Sequence, residues 1–166
     1  MTLSFDPDHA FGQLLQRWWK RIQDDRGMRA DLRRCKSVTE VLTTPAFSRF
    51  CTEARVFLKT DGYRETRLAA VFGLLAYIEH LGDETLPMQM AESKGGTPLV
   101  SELRFRRLLQ ERDIDRLYAS LIRVLRMLNR KANPLRLAQD VYYWNDRTRK
   151  EWAYTYFPRV PEKKTA

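Results

Sequence analysis

Apolar side chains recur every three or four positions along almost the whole of this chain, the spacing of one face of an α-helix. Phe11, Leu14, Leu15, Trp18, Trp19 and Ile22 set the pattern and predict an amphipathic helix over about 8–23. Asp25 is placed to cap a second helix that reaches Cys35, and Ser37-Val-Thr-Glu40 has the spacing of a capping box. Pro45 takes the favoured first-turn position of a helix that starts after Thr44. A further helix is expected from about 63 to 81, between the Asp61-Gly62 turn and Gly82. Thr97-Pro98 reads as a cap and first-turn proline for a helix reaching Gln110, and Asp113 as the cap of one over 114–130. Asn133-Pro134 repeats the device, and Asn145-Asp146 interrupts the last helical stretch before Pro158. No alternating run of β-branched residues is long enough for a strand. The expected fold class is all-α, a helical bundle.

Only residues 82–97 break this pattern, with Gly82, Pro87, Gly95 and Gly96. The expected organisation is an N-terminal helical lobe (1–82), a flexible linker loop (83–97), an arginine-rich C-terminal helical lobe (98–158) and a tail (159–166). The lobes would share an interface, and a single compact domain is the alternative. At 166 residues the chain is long enough to bury a core without staples. Its longest apolar run, Leu68 to Ile78, has 11 residues, too few to span a bilayer. Met1 to Asp8 is polar and acidic, unlike a secretory leader, so a cytoplasmic protein with no membrane partner is expected. Cys35 and Cys51 lack Cys-x-x-Cys spacing and read as small core residues.

Charge is distributed unevenly. Of the formal net charge of +9, +8 lies between Arg104 and Lys150, where 13 basic residues face five acids. Eleven of the 13 are arginines, whose planar guanidinium presents parallel donors to phosphate oxygens. Such a concentration is the footprint of a protein that follows a phosphate backbone. On the 114–130 helix, Ile114, Leu117, Tyr118, Leu121, Leu125 and Leu128 form the inward stripe. Arg116, Arg123 and Arg130 then make one outward line, with Arg126 between the last two. Arg104 and Arg107 share a face of the preceding helix, opposite Phe105, Leu108 and Leu109. Arg33, Arg34 and Lys36 form a smaller cluster, and Arg147, Arg149 and Lys150 open the final helix. Some of these arginines are expected to pair with Asp113, Asp115 or Asp140. The aromatics Tyr142, Tyr143, Trp144, Trp152, Tyr154, Tyr156 and Phe157 have the chemistry to stack on bases, but at helical spacing they are assigned to the core.

Catalytic patterns are missing. His9 and His80 are the only histidines, no Cys or His cluster has metal-ligand spacing, and Gly95-Gly96 is not followed by the Lys-Ser/Thr of a phosphate loop. The acids are scattered among arginines and do not converge as a two-metal nuclease requires. The chain reads as a non-enzyme with no metal and no cofactor.

Particular blocks carry a family resemblance. Arg26-Gly27, Leu32-Arg33-Arg34-Cys35, Pro45-Ala46-Phe47 and Arg104-Phe-Arg-Arg-Leu-Leu-Gln110 lead to Leu137-Ala138, Asp140-Val-Tyr-Tyr-Trp-Asn-Asp146 and Trp152-Ala153-Tyr154. Together these resemble the CasB family, the small subunit of the type I-E CRISPR surveillance complex Cascade, over about residues 10–157. The resemblance implies an all-helical, non-catalytic subunit, two copies of which sit head to tail beside the backbone subunits that hold the guide RNA. Its basic surfaces would steady the guide–target heteroduplex and the displaced DNA strand, the R-loop. By position, the family's basic patches correspond to Arg33, Arg34, Arg64, Arg104, Arg107, Arg123, Arg147 and Arg149, to which the outward row adds Arg126 and Arg130. A stand-alone helical DNA-binding regulator is the alternative. It would need base-reading Asn, Gln or Ser among the arginines, and the Arg104–Arg130 region has few.

Overall fold

The protein is described from a computed structural model covering residues 3–58 and 62–162. Asp61 of the expected Asp61-Gly62 turn lies outside the described residues, as do Lys163 and Lys164 of the tail. Among the described residues ten α-helices follow one another: α1 (Ala10–Asp24), α2 (Arg26–Arg34), α3 (Val38–Leu42), α4 (Pro45–Ala54), α5 (Gly62–Leu75), α6 (Leu86–Ala91), α7 (Glu102–Leu109), α8 (Ile114–Met127), α9 (Pro134–Tyr142) and α10 (Asp146–Tyr156). Short 3₁₀ turns extend α4 and α10 at Arg55–Phe57 and Phe157–Arg159. The fold is all-α in character, and its buried side chains form one cluster drawn from both halves of the chain.

Side chains end the helices where the sequence places capping residues. Asp25 accepts from Met28 N–H, Ser37 and Glu40 make both bonds of the capping box, and Thr44 accepts from Phe47 N–H. Asp113, Asn133 and Asn145 do the same for α8, α9 and α10. Each such cap satisfies backbone donors that have no partner within the helix, worth about 1 kcal/mol.

α5 is the centre. From Leu68 to Ile78 every side chain is buried, and α3, α8 and α9 pack around it. α1 crosses on the α9 side, where Trp18 meets Phe50 and Phe72 edge-on. Gly73 lets α8 come close: a Cβ there would lie 2.6 Å from the Tyr118 hydroxyl.

Four two-residue strands were not expected. β1 (His80–Leu81) pairs in parallel with β4 (Lys131–Ala132), and β2 (Ser93–Lys94) pairs antiparallel with β3 (Thr97–Pro98). Consequently α5 ends at Leu75, not near 81, and the chain runs on extended into β1. The stretch expected as a linker loop, 83–97, folds instead into α6 and most of a hairpin. Leu86, Met90 and Ala91 enter the core, and Gly95 and Gly96 take the left-handed conformations that the two-residue turn requires. Thr97-Pro98 therefore belongs to the hairpin, and Ser101 caps α7. Nor are all the terminal aromatics core: Tyr142, Trp144, Trp152 and Tyr156 are buried and Tyr143 half-buried, whereas Tyr154 and Phe157 are exposed.

Between α9 and α10 the Trp152 indole N–H donates to Asp140 Oδ2 at 2.9 Å. Burial pushes the Asp140 carboxyl up to about 6 from its ordinary 3.8, against the lowering effect of that bond. A raised folded-state value favours the protonated form, so this contribution to stability is complete below 3.8 and lost as pH rises through about 6. Asp140→Asn keeps an acceptor for Trp152 and carries no charge. It should raise the melting temperature at neutral pH, by on the order of 2 kcal/mol of stability, and flatten the pH dependence of melting across that window. Thermal unfolding over a pH series checks both. A second expectation concerns Gly73→Ala, which should cost about 1–3 kcal/mol by overpacking. Because the buried Tyr118 hydroxyl has no hydrogen-bond partner among the described residues, Tyr118→Phe should be neutral or stabilising and should reduce that cost. Denaturant unfolding of the two single variants and the double variant measures the coupling.

Candidate nucleic-acid interface

The five acids of the 104–150 segment do not neutralise its arginines in the way the sequence suggests. Asp113 is occupied by the backbone N–H groups of Asp115 and Arg116. Asp115 accepts from Val38 N–H at 2.7 Å, tying α8 to α3. Asp140 faces the Trp152 indole. The expected pairing of arginines with these three acids is absent among the described residues. Among the described residues only Asp146 of the five pairs with arginine, taking both Arg112 and Arg149.

This leaves a bare basic face where α7 and α8 meet. Arg104 and Arg107 stand one turn apart on α7, and Arg116 and Arg123 lie seven residues apart on one line of α8, about 10.5 Å of rise. The Arg104 guanidinium reaches across to Met127 Sδ at 3.2 Å. Met127 lies four residues from Arg123, so the rows of the two helices adjoin. Arg123 donates to Ser120 Oγ at 3.3 Å, and Arg126 lies 5.7 Å from the centre of the Tyr77 ring. Arg104, Arg107, Arg116, Arg123 and Arg126 are all exposed, and none has a carboxylate partner among the described residues. Beside them Arg106 is taken up by Glu102. Guanidinium groups anchored at one end on a packed helix lose fewer rotamers on meeting a phosphate than groups that must first be ordered.

The remaining expected residues are placed differently. Arg33 is not part of an open cluster with Arg34 and Lys36. Its Nε donates to Ala76 O and a terminal nitrogen to Glu79 Oε1, both at 2.8 Å, and its side chain is only 23% exposed. Arg34 is exposed and paired with Asp31. Arg64 lies exposed in the first turn of α5. Arg130 does not continue the outward row, because α8 ends at Met127 and Asn129 and Arg130 both turn left-handed, φ 56° and 58°. The turn swings the Arg130 guanidinium to Glu79 Oε1 at 3.0 Å. Arg147 is exposed and held by Glu151, while Arg149 is largely buried between Asp146 and the Trp144 ring.

Sequence reasoning missed two features of this surface. Glu79 organises Arg33 and Arg130, and only the meeting of β1 with β4 brings it there. A second basic corner also forms between α1 and α2 from Arg17, Lys20, Arg21 and Arg26, tempered by Asp24 and Asp25. Its residues are spread over ten positions without a charge run, so no local pattern marks them. Away from both, a groove of about 1150 Å³ between the N-terminal segment, α1, α9 and α10 mixes acids and bases. Among the described residues no three His, Cys, Asp or Glu side chains come close enough to hold a metal ion, and no helix is long and apolar enough to cross a membrane.

The backbone matches a chain of the crystal structure of E. coli Cascade bound to a PAM-containing dsDNA target, with a TM-score of 0.68. The match covers 88% of this chain and 95% of that one at 19% sequence identity, a likeness of fold. No curated protein sequence matches the chain. Residues 28–157 match the family of the CRISPR-associated protein Cse2, a span that runs from within α2 through α10 and takes in the whole α7–α8 arginine face. The chain therefore belongs to the Cse2 family, the CasB small-subunit family that its sequence blocks resemble.

Proposed function

We propose that this protein is a non-catalytic subunit of a type I-E Cascade complex and grips phosphate backbones with its α7–α8 face, stabilising the guide RNA–target DNA heteroduplex and the displaced strand. The observation that carries this reading is the set of five exposed arginines with no carboxylate partner among the described residues, while three acids of the same segment bond to backbone and indole N–H groups. Family membership supports the assembly, and the Cascade chain of like fold belongs to a complex bound to a dsDNA target. The partners are the other Cascade subunits, the guide RNA, both DNA strands and a second copy of the chain, head to tail.

The physics of guide-directed recognition suits such a part. Base pairing reads the sequence, and strand exchange is nearly balanced, so modest backbone contacts tip it. A subunit with that task needs fixed cations and no base-reading code. Arg104, Arg107, Arg116, Arg123 and Arg126 would supply most of the contact, with Arg34, Arg64 and Arg147 at the margins.

The isolated chain should bind nucleic acid weakly and with little sequence preference. If it neutralises about four phosphates of a single strand, log affinity should fall against log salt with a slope near −3. Arg107→Glu with Arg123→Glu should keep the helical spectrum and melting temperature, weaken strand binding about tenfold or more, and flatten that slope by about 1.4. Lys163→Glu with Lys164→Glu makes the same change in net charge outside the described residues and should do less. Fluorescence anisotropy across a salt series, and R-loop lifetime in the assembled complex, measure these effects. Equal losses in both double variants would show that net charge acts without an organised face. Salt-insensitive, sequence-selective binding would point to a DNA-binding regulator.

A further inference from the structure

Three arginines that the helix pattern scatters converge on one place at the edge of the α7–α8 face. Arg33 comes from α2, Arg126 from α8, and Arg130 from the turn beyond it. The Arg33 and Arg126 guanidinium carbons lie 5.8 Å and 5.7 Å from the centre of the Tyr77 ring. Tyr77 itself is buried, and its hydroxyl donates to Arg33 O at 3.0 Å. Arg33 and Arg130 then share a single carboxylate oxygen, Glu79 Oε1, at 2.8 Å and 3.0 Å. The Glu79 carboxylate offsets the repulsion between the two guanidinium groups it holds, and Arg126 stands beside them at the Tyr77 ring.

The backbone is built to hold the arrangement. Arg130 is a non-glycine residue in the left-handed region, as is Asn129 before it, and such conformations persist where surrounding contacts enforce them. Here the Arg130 carbonyl accepts from both Glu79 N–H and His80 N–H, at 2.8 Å and 3.1 Å, and Arg130 N–H donates to Leu125 O at 2.7 Å. Helix end, strand start and charged groups are locked together. Yet the cluster is open to solvent, with the side chains of Arg33, Arg130 and Glu79 23%, 32% and 33% exposed.

We infer that Arg33, Arg126 and Arg130 form a binding site for one phosphodiester group, and that the Glu79 carboxylate occupies the place of that phosphate until a strand arrives. The inference rests on the phosphate-gripping function proposed above and adds a site to it. A phosphodiester carries one negative charge and offers two oxygens to guanidinium donors, as a carboxylate does. Replacing one by the other leaves the charge within the cluster unchanged, while Glu79 turns out to water. The Arg33 Nε bond to Ala76 O stays in place, so that guanidinium needs no re-anchoring. Glu79 thereby acts as an internal competitor that lowers affinity for any single strand and reserves the site for one positioned by the rest of the face.

The test uses the full chain and a mixed-sequence single-stranded DNA oligonucleotide. Glu79→Gln should bind the oligonucleotide about three- to tenfold more tightly than wild type and steepen the salt slope by about 0.7, because the incoming phosphate is no longer offset by a carboxylate released to solvent. The exposed Glu92→Gln makes the same change in net charge and should show less of either effect. Arg130→Gln added to Glu79→Gln should abolish the gain. If Glu79→Gln binds no better than Glu92→Gln, or worse, Glu79 only positions its arginines and the inference falls. A readout on the wild-type chain guards against misfolding of the variant. Titration with the oligonucleotide, followed by nuclear magnetic resonance, should move the Glu79 carboxyl carbon signal toward that of solvent-exposed glutamate. Shifts at Arg123 with Glu79 and Arg130 unchanged would overturn the site while leaving the function intact. No shift at Arg123 would count against the function itself.

Discussion

Everything in this molecule is arranged around a helix whose last two turns have no solvent-facing side. α5 and the turn after it bury every side chain from Leu68 to Ile78, so neighbours are needed all round. α3, α8 and α9 supply three sides, and aromatic rings from α1 and α4 close another through Phe72. A fully apolar segment of this length is stable in water only inside such a sleeve. The sleeve in turn fixes which face of α8 looks outward. Leu117, Tyr118, Leu121 and Leu125 pack inward, and helical geometry then leaves Arg116, Arg123 and Arg126 in solvent.

Hydrogen-bond demand, rather than the distribution of charge alone, makes the surface basic. A chain with 21 acids can in principle mask many of its 30 cations. Here several acids go where the backbone needs acceptors: Asp25 and Asp113 at helix starts, Asp115 on the Val38 amide. Glu79 is the opposite case, a single carboxylate serving two guanidinium groups, and the Arg33 bond first of all holds its carboxyl below the usual value. Folding therefore sorts the charges, and the bare α7–α8 face is what remains after helix ends and tertiary bonds have claimed the acids around it.

Much of this was legible in the sequence. All the helices but α6, most of their caps and the burial of Leu68 to Ile78 follow from three- and four-residue spacing and from Ser, Thr, Asp and Asn before apolar runs. The outward positions of Arg104, Arg107, Arg123 and Arg126 follow from the same spacing. Most of what escaped depends on bonds between distant segments. Nothing local tells that Asp115 serves Val38, that Asp140 faces Trp152, or that Arg33 meets Glu79. Arg130 fits the outward row by count, but the row holds only while the backbone stays helical, and it leaves the helix after Met127. The hairpin at 93–98 was missed because its strands are two residues long, too short to show alternation.

The parallel bridge between β1 and β4 also bears on the order in which the molecule assembles. It joins His80 to Lys131 and Leu81 to Ala132 across some fifty residues of chain, and only after α5 through α8 have docked do those strands lie side by side. Closing so long a loop is entropically costly and returns little from a pairing two residues long. Chain topology therefore predicts that contacts depending on it form late and open before α5 does. Arg33, Glu79 and Arg130 belong to that late-forming layer. On that order a partly folded chain would carry its helical arginines before the Glu79 clamp exists, and the closed clamp would mark a chain that has finished folding.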